Sequence, residues 1–228
     1  MSLPARIPFD ATEPLDRLRF ERTFWSDSPK AILAGVDEAG RGCLAGPVVA
    51  GAVAIDEEDI ETLAATDLKA ANDSKQLTEK RREALWGVLT HHPKVTVGVG
   101  IASVQEIDKL NILNATHLAM RRSLEALPRL PHYTLVDGLP VKGLPTPHTA
   151  IVKGDARSLL IACASIMAKV TRDHLCLDLE TRYPGYDFAK HKAYGTKAHL
   201  QALHHLGPCP EHRRSFAPVA IIQEEFQF

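Results

Sequence analysis

Aromatic residues are scarce, 6% of 228 positions, so aliphatic side chains must fill most of any core. Net charge is nearly absent: 27 Lys and Arg against 28 Asp and Glu leave −1. Global charge therefore does not mark a nucleic-acid binder, although a neutral total can conceal a local basic patch. There are only four cysteines, Cys43, Cys163, Cys176 and Cys209, and no C-x-x-C pair, which argues against a zinc site. The first ten residues hold no apolar signal-peptide core, and no apolar run approaches the length that spans a bilayer. Internal repeats and low-complexity segments are missing. The expectation is a reduced, cytoplasmic protein without membrane contact, its cysteines serving as small core residues. A hydrophobic content of 45% suffices for one sizeable core.

Residues 1–30 are polar, with prolines at 4, 8, 14 and 29, and read as an N-terminal extension. Within them, 15–25 fits a short helix packing Leu18, Phe20 and Trp25 on the body. Two apolar, β-branched runs follow, 31–36 and 48–55, joined by a turn with glycines at 40, 42 and 46; together they predict an antiparallel hairpin of buried strands. Residues 67–77 read as a polar loop. Thr78 is the N-cap of a helix through Leu89. A third strand is expected over 94–101, then helix to Leu127 with a break near 111–114, and short strands at 133–136 and 149–152. Residues 158–180 hold no proline or glycine and form the surest helix. A loop over 183–196, a helix over 197–206 and an irregular tail complete the chain. Strands first, then alternating helices and strands, indicate an α/β protein whose sheet starts antiparallel and continues parallel. Such sheets carry their sites at strand ends.

Four carboxylates stand where a carboxylate is costly without a task. Asp37 and Glu38 end one buried strand, Asp137 ends another, and Asp173 lies in the long apolar helix. Rigid positions of this kind suit the holding of a hard divalent cation through oxygen ligands. Each also has a plain structural reading. Asp favours turns, Glu38 can be a solvated turn residue, Asp137-Gly138 is an ordinary turn pair, and Asp173 can belong to a surface face.

The surroundings of these residues are more specific. Residues 35–50, GVDEAGRGCLAGPVVA, resemble the N-terminal active-site segment of the ribonuclease HII family. In order along the chain, DSKQL at 73–77, NILNAT at 111–116, VDG at 136–138, SIMAKVTRD at 165–173, YPGY at 183–186, HKAYGT at 191–196 and HRRSF at 212–216 resemble its further segments. The similarity runs from about residue 31 to about 219. The resemblance implies a ribonuclease H-like fold over 31–228, a mixed sheet flanked by helices with a small helical C-terminal region. It implies Mg²⁺ or Mn²⁺ held by Asp37, Glu38, Asp137 and Asp173. It also implies endonucleolytic cleavage of RNA–DNA hybrids and of DNA containing single ribonucleotides, leaving 3′-hydroxyl and 5′-phosphate ends. A monomer is expected.

Gly40-Arg41-Gly42 lets backbone approach a sugar closely, and the 2′-hydroxyl separates RNA from DNA. In the family this element and a tyrosine, here Tyr194, read the ribose. Lys190, Lys192, Lys197, Arg213 and Arg214 form a basic patch suited to phosphate contacts, and Lys75, Lys153 and Lys169 are further candidates along the phosphate path. The histidines at 191, 199, 204, 205 and 212 are too irregularly spaced for a transition-metal site. Two positions depart from the family pattern, Asp187 and Ala193 standing where glycine is usual. A positive φ at 193 would strain alanine. The rival readings are another ribonuclease H-like nuclease, and a non-catalytic hybrid-binding module. Occupancy of all four carboxylate positions counts against the latter.

Overall fold

In the computed structural model, residues 16–72 and 74–225 are described; Asp73 and the last three residues of the C-terminal segment lie outside that set, as do residues 1–15. Helix α1 is Arg19–Asp27, and its Phe20, Phe24 and Trp25 are buried in the main core with Leu18. Strands β1 (Leu33–Ala39) and β2 (Val48–Ile55) form the expected hairpin, antiparallel with Asp37 opposite Gly51. Every residue of β2 is buried, as its unbroken apolar run requires when both faces of a sheet are covered.

Helix α2 (Glu57–Ala65) was not expected from the sequence. Helix α3 (Glu79–His91) is capped by the Thr78 hydroxyl, which accepts from the Arg81 amide. Strand β3 (Val95–Ala102) pairs antiparallel with β2. The break near 111 separates α4 (Val104–Leu110) from α5 (Ile112–Glu125), with Asn111 at φ +67 between them. Strands β4 (Tyr133–Asp137) and β5 (His148–Ile151) run parallel to β1, giving the order β3-β2-β1-β4-β5. The mixed sheet is thus the α/β arrangement read from the sequence.

The long helix α6 (Leu159–Arg182) covers one face and α5 the other. Glycines decide how closely they approach. A Cβ on Gly35 or Gly51 would stand 2.2 Å from the Leu160 carbonyl carbon and 2.5 Å from the Ala164 carbonyl oxygen, both backbone atoms of α6. On the other face, a Cβ on Gly100 would fall 2.0 Å from the Ala119 carbonyl oxygen of α5. Both helices therefore rest almost directly on the sheet.

The C-terminal region departs from expectation in two places. The supposed loop 183–196 contains a short helix, α7 (Phe188–His191), and the supposed irregular tail forms α9 (Ala217–Glu225) after α8 (Lys197–Leu206). Val219 and Ile222 of α9 bury against Leu203, Phe188 and Leu179 in a separate small core, which supplies the apolar contact that a short helix needs. All four cysteines are free and buried. No described helix is long and apolar enough to cross a membrane.

Candidate active site

Strands β1 and β4 are adjacent and parallel, with Val36 in register with Val136. The next residue on each is Asp37 and Asp137, so both carboxylates emerge at the same end of the sheet, about one strand spacing apart, ~4.8 Å. Side chains alternate along a strand, which puts Asp37 on the side of Gly35, facing α6. Asp37 is buried, 4% exposed. One of its oxygens accepts from the Glu38 amide at 2.6 Å, and the Ser165 side chain of α6 adjoins it and favours its anion. Ser165 in turn lies 2.8 Å from the Ser74 hydroxyl. Ser165 is a site residue to which the sequence reading gave no role. The signal was its spacing, since residues 165, 169 and 173 are one turn apart on one helix face.

Burial and the neighbouring charges of Glu38 and Asp137 hold the Asp37 carboxyl well above the usual range. Glu38 is raised by burial and opposed chiefly by Arg41, whose guanidinium lies 3.2 Å from its carboxylate. Asp137 accepts from the Gly154 amide at 2.6 Å and the Asp155 amide at 3.3 Å, donors from the 3₁₀ turn Gly154–Ala156. Asp173 is buried at 4% exposure and pairs with Lys169 at 2.5 Å. With Arg172 at 2% beside it, the surface-face reading of Asp173 fails: this stretch of α6 is interior.

The structure therefore brings Asp37, Glu38 and Asp137 within mutual electrostatic reach, with Asp173 two turns beyond Ser165 on α6. Among the described residues, no group of three or more His, Cys, Asp or Glu side chains is drawn close enough to enclose a metal ion. The donor set nevertheless fits a hard cation in chemistry. Its ligands are carboxylate oxygens, and the charge that burial and repulsion make costly on Asp37 is of the sign that a divalent ion relieves.

Beside these carboxylates lies the glycine turn. Residues 43–45 form isolated bridges to both flanking segments, Cys43 to Tyr194 and Ala45 to His212. The Leu44 amide donates to the Ala193 carbonyl at 2.9 Å, and Gly46 to Glu211 at 2.9 Å. Tyr194 is 45% exposed, an aromatic ring held at the surface next to the turn. Ala193 is fully buried and has φ +61, and Asp187 has the same φ; both non-glycine residues adopt the left-handed conformation.

The basic patch is smaller than the sequence implied. Lys190, Lys197 and Arg214 are exposed, and Lys75 is largely exposed, 3.8 Å from Asp155. Arg213 is fully buried and spends its donors on backbone carbonyls, so it is no phosphate contact. Two of the histidines, His199 and His212, are interior as well, and His191 is half-buried. His199 and His212 share a hydrogen bond at 3.1 Å, His199 bonds the Tyr194 carbonyl at 2.9 Å, and His191 stacks on His199 with ring centroids 4.5 Å apart. Burial lowers His212 to about 4 and also lowers His199, so both are neutral at pH 7.

A family model described as Ribonuclease HII matches residues 34–219. The chain belongs to the ribonuclease HII family. It is accordingly an endoribonuclease of the ribonuclease H type, a phosphodiester hydrolase. Ribonuclease HII of Paracidovorax citrulli is 53% identical over 203 residues, covering 89% of this chain and 81% of that protein. Ribonuclease HII of Chlamydia trachomatis is 51% identical over 189 residues, 82% of each. Among solved structures, ribonuclease H2 from Pyrococcus horikoshii OT3 aligns with a TM-score of 0.71 at 30% identity, covering 86% of this chain and 98% of that one. Bst-RNase HIII, solved with Mn²⁺, shares the fold at a TM-score of 0.67 and 17% identity, covering 87% of this chain and 71% of that one.

Proposed function

We propose that the chain hydrolyses the RNA strand of RNA–DNA hybrids and cuts 5′ to single ribonucleotides embedded in duplex DNA, leaving 3′-hydroxyl and 5′-phosphate ends. Asp37, Glu38, Asp137 and Asp173 are the residues that would hold Mg²⁺ or Mn²⁺. When bound, a pair of such ions supplies Lewis-acid stabilisation of the attacking and leaving oxygens of a phosphodiester. The chain's own residues do the rest. The Glu38 amide fixes one oxygen of Asp37, and the 154–155 amides fix one oxygen of Asp137. Lys75, Lys169, Lys190, Lys192 and Arg214 offer positive charge to phosphates flanking the cleaved bond. The Gly40–Gly42 backbone meets the 2′-hydroxyl, and the Tyr194 ring packs on the neighbouring sugar.

The observation that carries this reading is the juxtaposition of two elements. The carboxylates of adjacent parallel strand ends lie beside a glycine turn that is hydrogen-bonded to the segment bearing Tyr194. A recognition element for ribose thus adjoins a candidate hydrolytic centre. The test is cleavage of an end-labelled RNA–DNA hybrid with and without Mg²⁺ or Mn²⁺, with chemical mapping of the product ends. Metal-dependent cutting of the RNA strand with 5′-phosphate products is expected. Binding without cleavage at any metal concentration would favour a non-catalytic hybrid-binding module instead.

A further inference from the structure

Arg213 is fully buried, and its donors are spent on backbone. Its Nε donates to the Gly46 carbonyl at 3.0 Å, Nη1 to Arg41 at 2.9 Å, and Nη2 to Gly40 at 2.7 Å and Pro47 at 3.2 Å. Its own amide donates to the Leu44 carbonyl at 2.8 Å. One residue thus bonds five carbonyls of the segment 40–47, across more than 160 positions of sequence. A buried guanidinium is expensive unless its geometry is satisfied all round. Here the planar fork fits the concave side of a turn as it would fit a carboxylate.

A second arginine grips the same turn from α6. Arg172 donates to the Ala45 carbonyl at 3.2 Å and to the Lys192 carbonyl at 2.9 Å. Gly40 makes room for it: a Cβ there would fall 2.0 Å from Arg172 Nε. Asp108 anchors the other side, its carboxylate accepting from the amides of Arg214 and Ser215 at 3.1 and 2.9 Å. The turn beside the candidate site is therefore held by two arginines that are almost fully buried.

We propose that Arg213 is a positioning residue for ribose discrimination, its guanidinium fixing the Gly40–Gly42 backbone in the shape that meets a single 2′-hydroxyl. The inference rests on the reading that this turn contacts the ribose. A lone ribonucleotide offers one such hydroxyl, so an error in the turn has no neighbouring ribose to compensate it. A continuous hybrid offers many. Loss of Arg213 should therefore fall more heavily on the lone-ribonucleotide substrate.

The experiment measures kcat and KM on both substrates at saturating Mg²⁺ for the wild type, Arg213→Lys and Asp108→Ala, with thermal unfolding of each. Leu63→Ala, a core truncation in α2 far from the turn, controls for instability alone. Lysine keeps the charge but has no fork. Arg213→Lys is expected to lower kcat/KM on the lone ribonucleotide by about tenfold more than on the hybrid, the equivalent of ~1.4 kcal/mol. Asp108→Ala should shift the ratio the same way by about threefold, while Leu63→Ala leaves it unchanged. A folded Arg213→Lys with the wild-type ratio overturns the proposal. If Arg213→Lys does not fold, an unshifted ratio in Asp108→Ala overturns it. A wild type that cuts only the hybrid refutes the underlying reading, and the proposal with it.

Discussion

Glu21 should be worth more to the protein as glutamine at alkaline pH. It is fully buried on α1, and one oxygen accepts from the Ser158 hydroxyl at 2.7 Å and the Leu160 amide at 3.2 Å. The other is buried with no hydrogen-bond partner. Burial pushes the carboxyl up from 4.5 to about 7. A carboxyl raised on folding contributes stability that is intact below about pH 4.5 and is lost as pH rises through about 7. That displacement corresponds to a loss of ~3 kcal/mol by pH 8. The amide it bonds lies in the first turn of α6, and the dipole of that helix favours an anion there by roughly 0.3–1 kcal/mol. The net gain for Glu21→Gln at pH 8 is therefore about 2 kcal/mol, or roughly 4–8 °C in Tm for a chain of this size. At pH 4.5 the variant and the wild type should nearly coincide. Urea unfolding at the two pH values decides. An equal difference at both, or a variant less stable at pH 8, would refute the reasoning and mean that α6 holds Glu21 as an anion.

Other expectations follow from the site. Asp37→Asn or Asp137→Asn should reduce cleavage more than about 100-fold, beyond the usual cost of disturbing a ligand's support, while circular dichroism and hybrid binding persist; near-normal turnover in saturating Mg²⁺ would sink the ligand assignment. Lys190→Ala should weaken hybrid binding for all sequences alike and reduce the slope of log affinity against log salt by about 1; a slope equal to the wild type's would place Lys190 away from the phosphates. Ala193→Gly relieves a left-handed alanine, ~1–2 kcal/mol, against a backbone-entropy cost of ~0.5–1 kcal/mol. Stability should rise by no more than about 1.5 kcal/mol with activity equal or higher, and a clear loss of either would show that the Ala193 methyl matters more than its φ.

Elements whose cause is local were legible in the sequence. The β1–β2 hairpin announces itself by β-branched runs around a glycine turn, and α6 by 24 residues without proline or glycine. Asp37, Glu38 and Asp137 could be placed at strand ends because the strands themselves were visible. Arg213 was not legible, because residue type gives a charge and not its partners. Its four side-chain acceptors lie in a turn more than 160 residues away, and only folding reveals that this cation faces inward. The helix α9 was hidden for a similar reason, since its stability comes from Val219 and Ile222 meeting α6 and α8 residues. The signals of α2 are local and weaker, Asp56 ahead of three acidic residues in its first turn without a side-chain cap bond.

The most direct test compares three duplexes of one sequence at matched enzyme and Mg²⁺: all DNA, DNA with one ribonucleotide, and a continuous RNA–DNA hybrid, with wild type and Tyr194→Ala. The wild type should leave the first intact, cut the second once on the 5′ side of the ribonucleotide, and cut the third at many positions. Tyr194→Ala should lose most at the lone ribonucleotide without a change in metal binding. Cleavage of the continuous hybrid alone would contradict the account, because a site that reads one ribose through Gly40–Gly42 and Tyr194 has no need of a second.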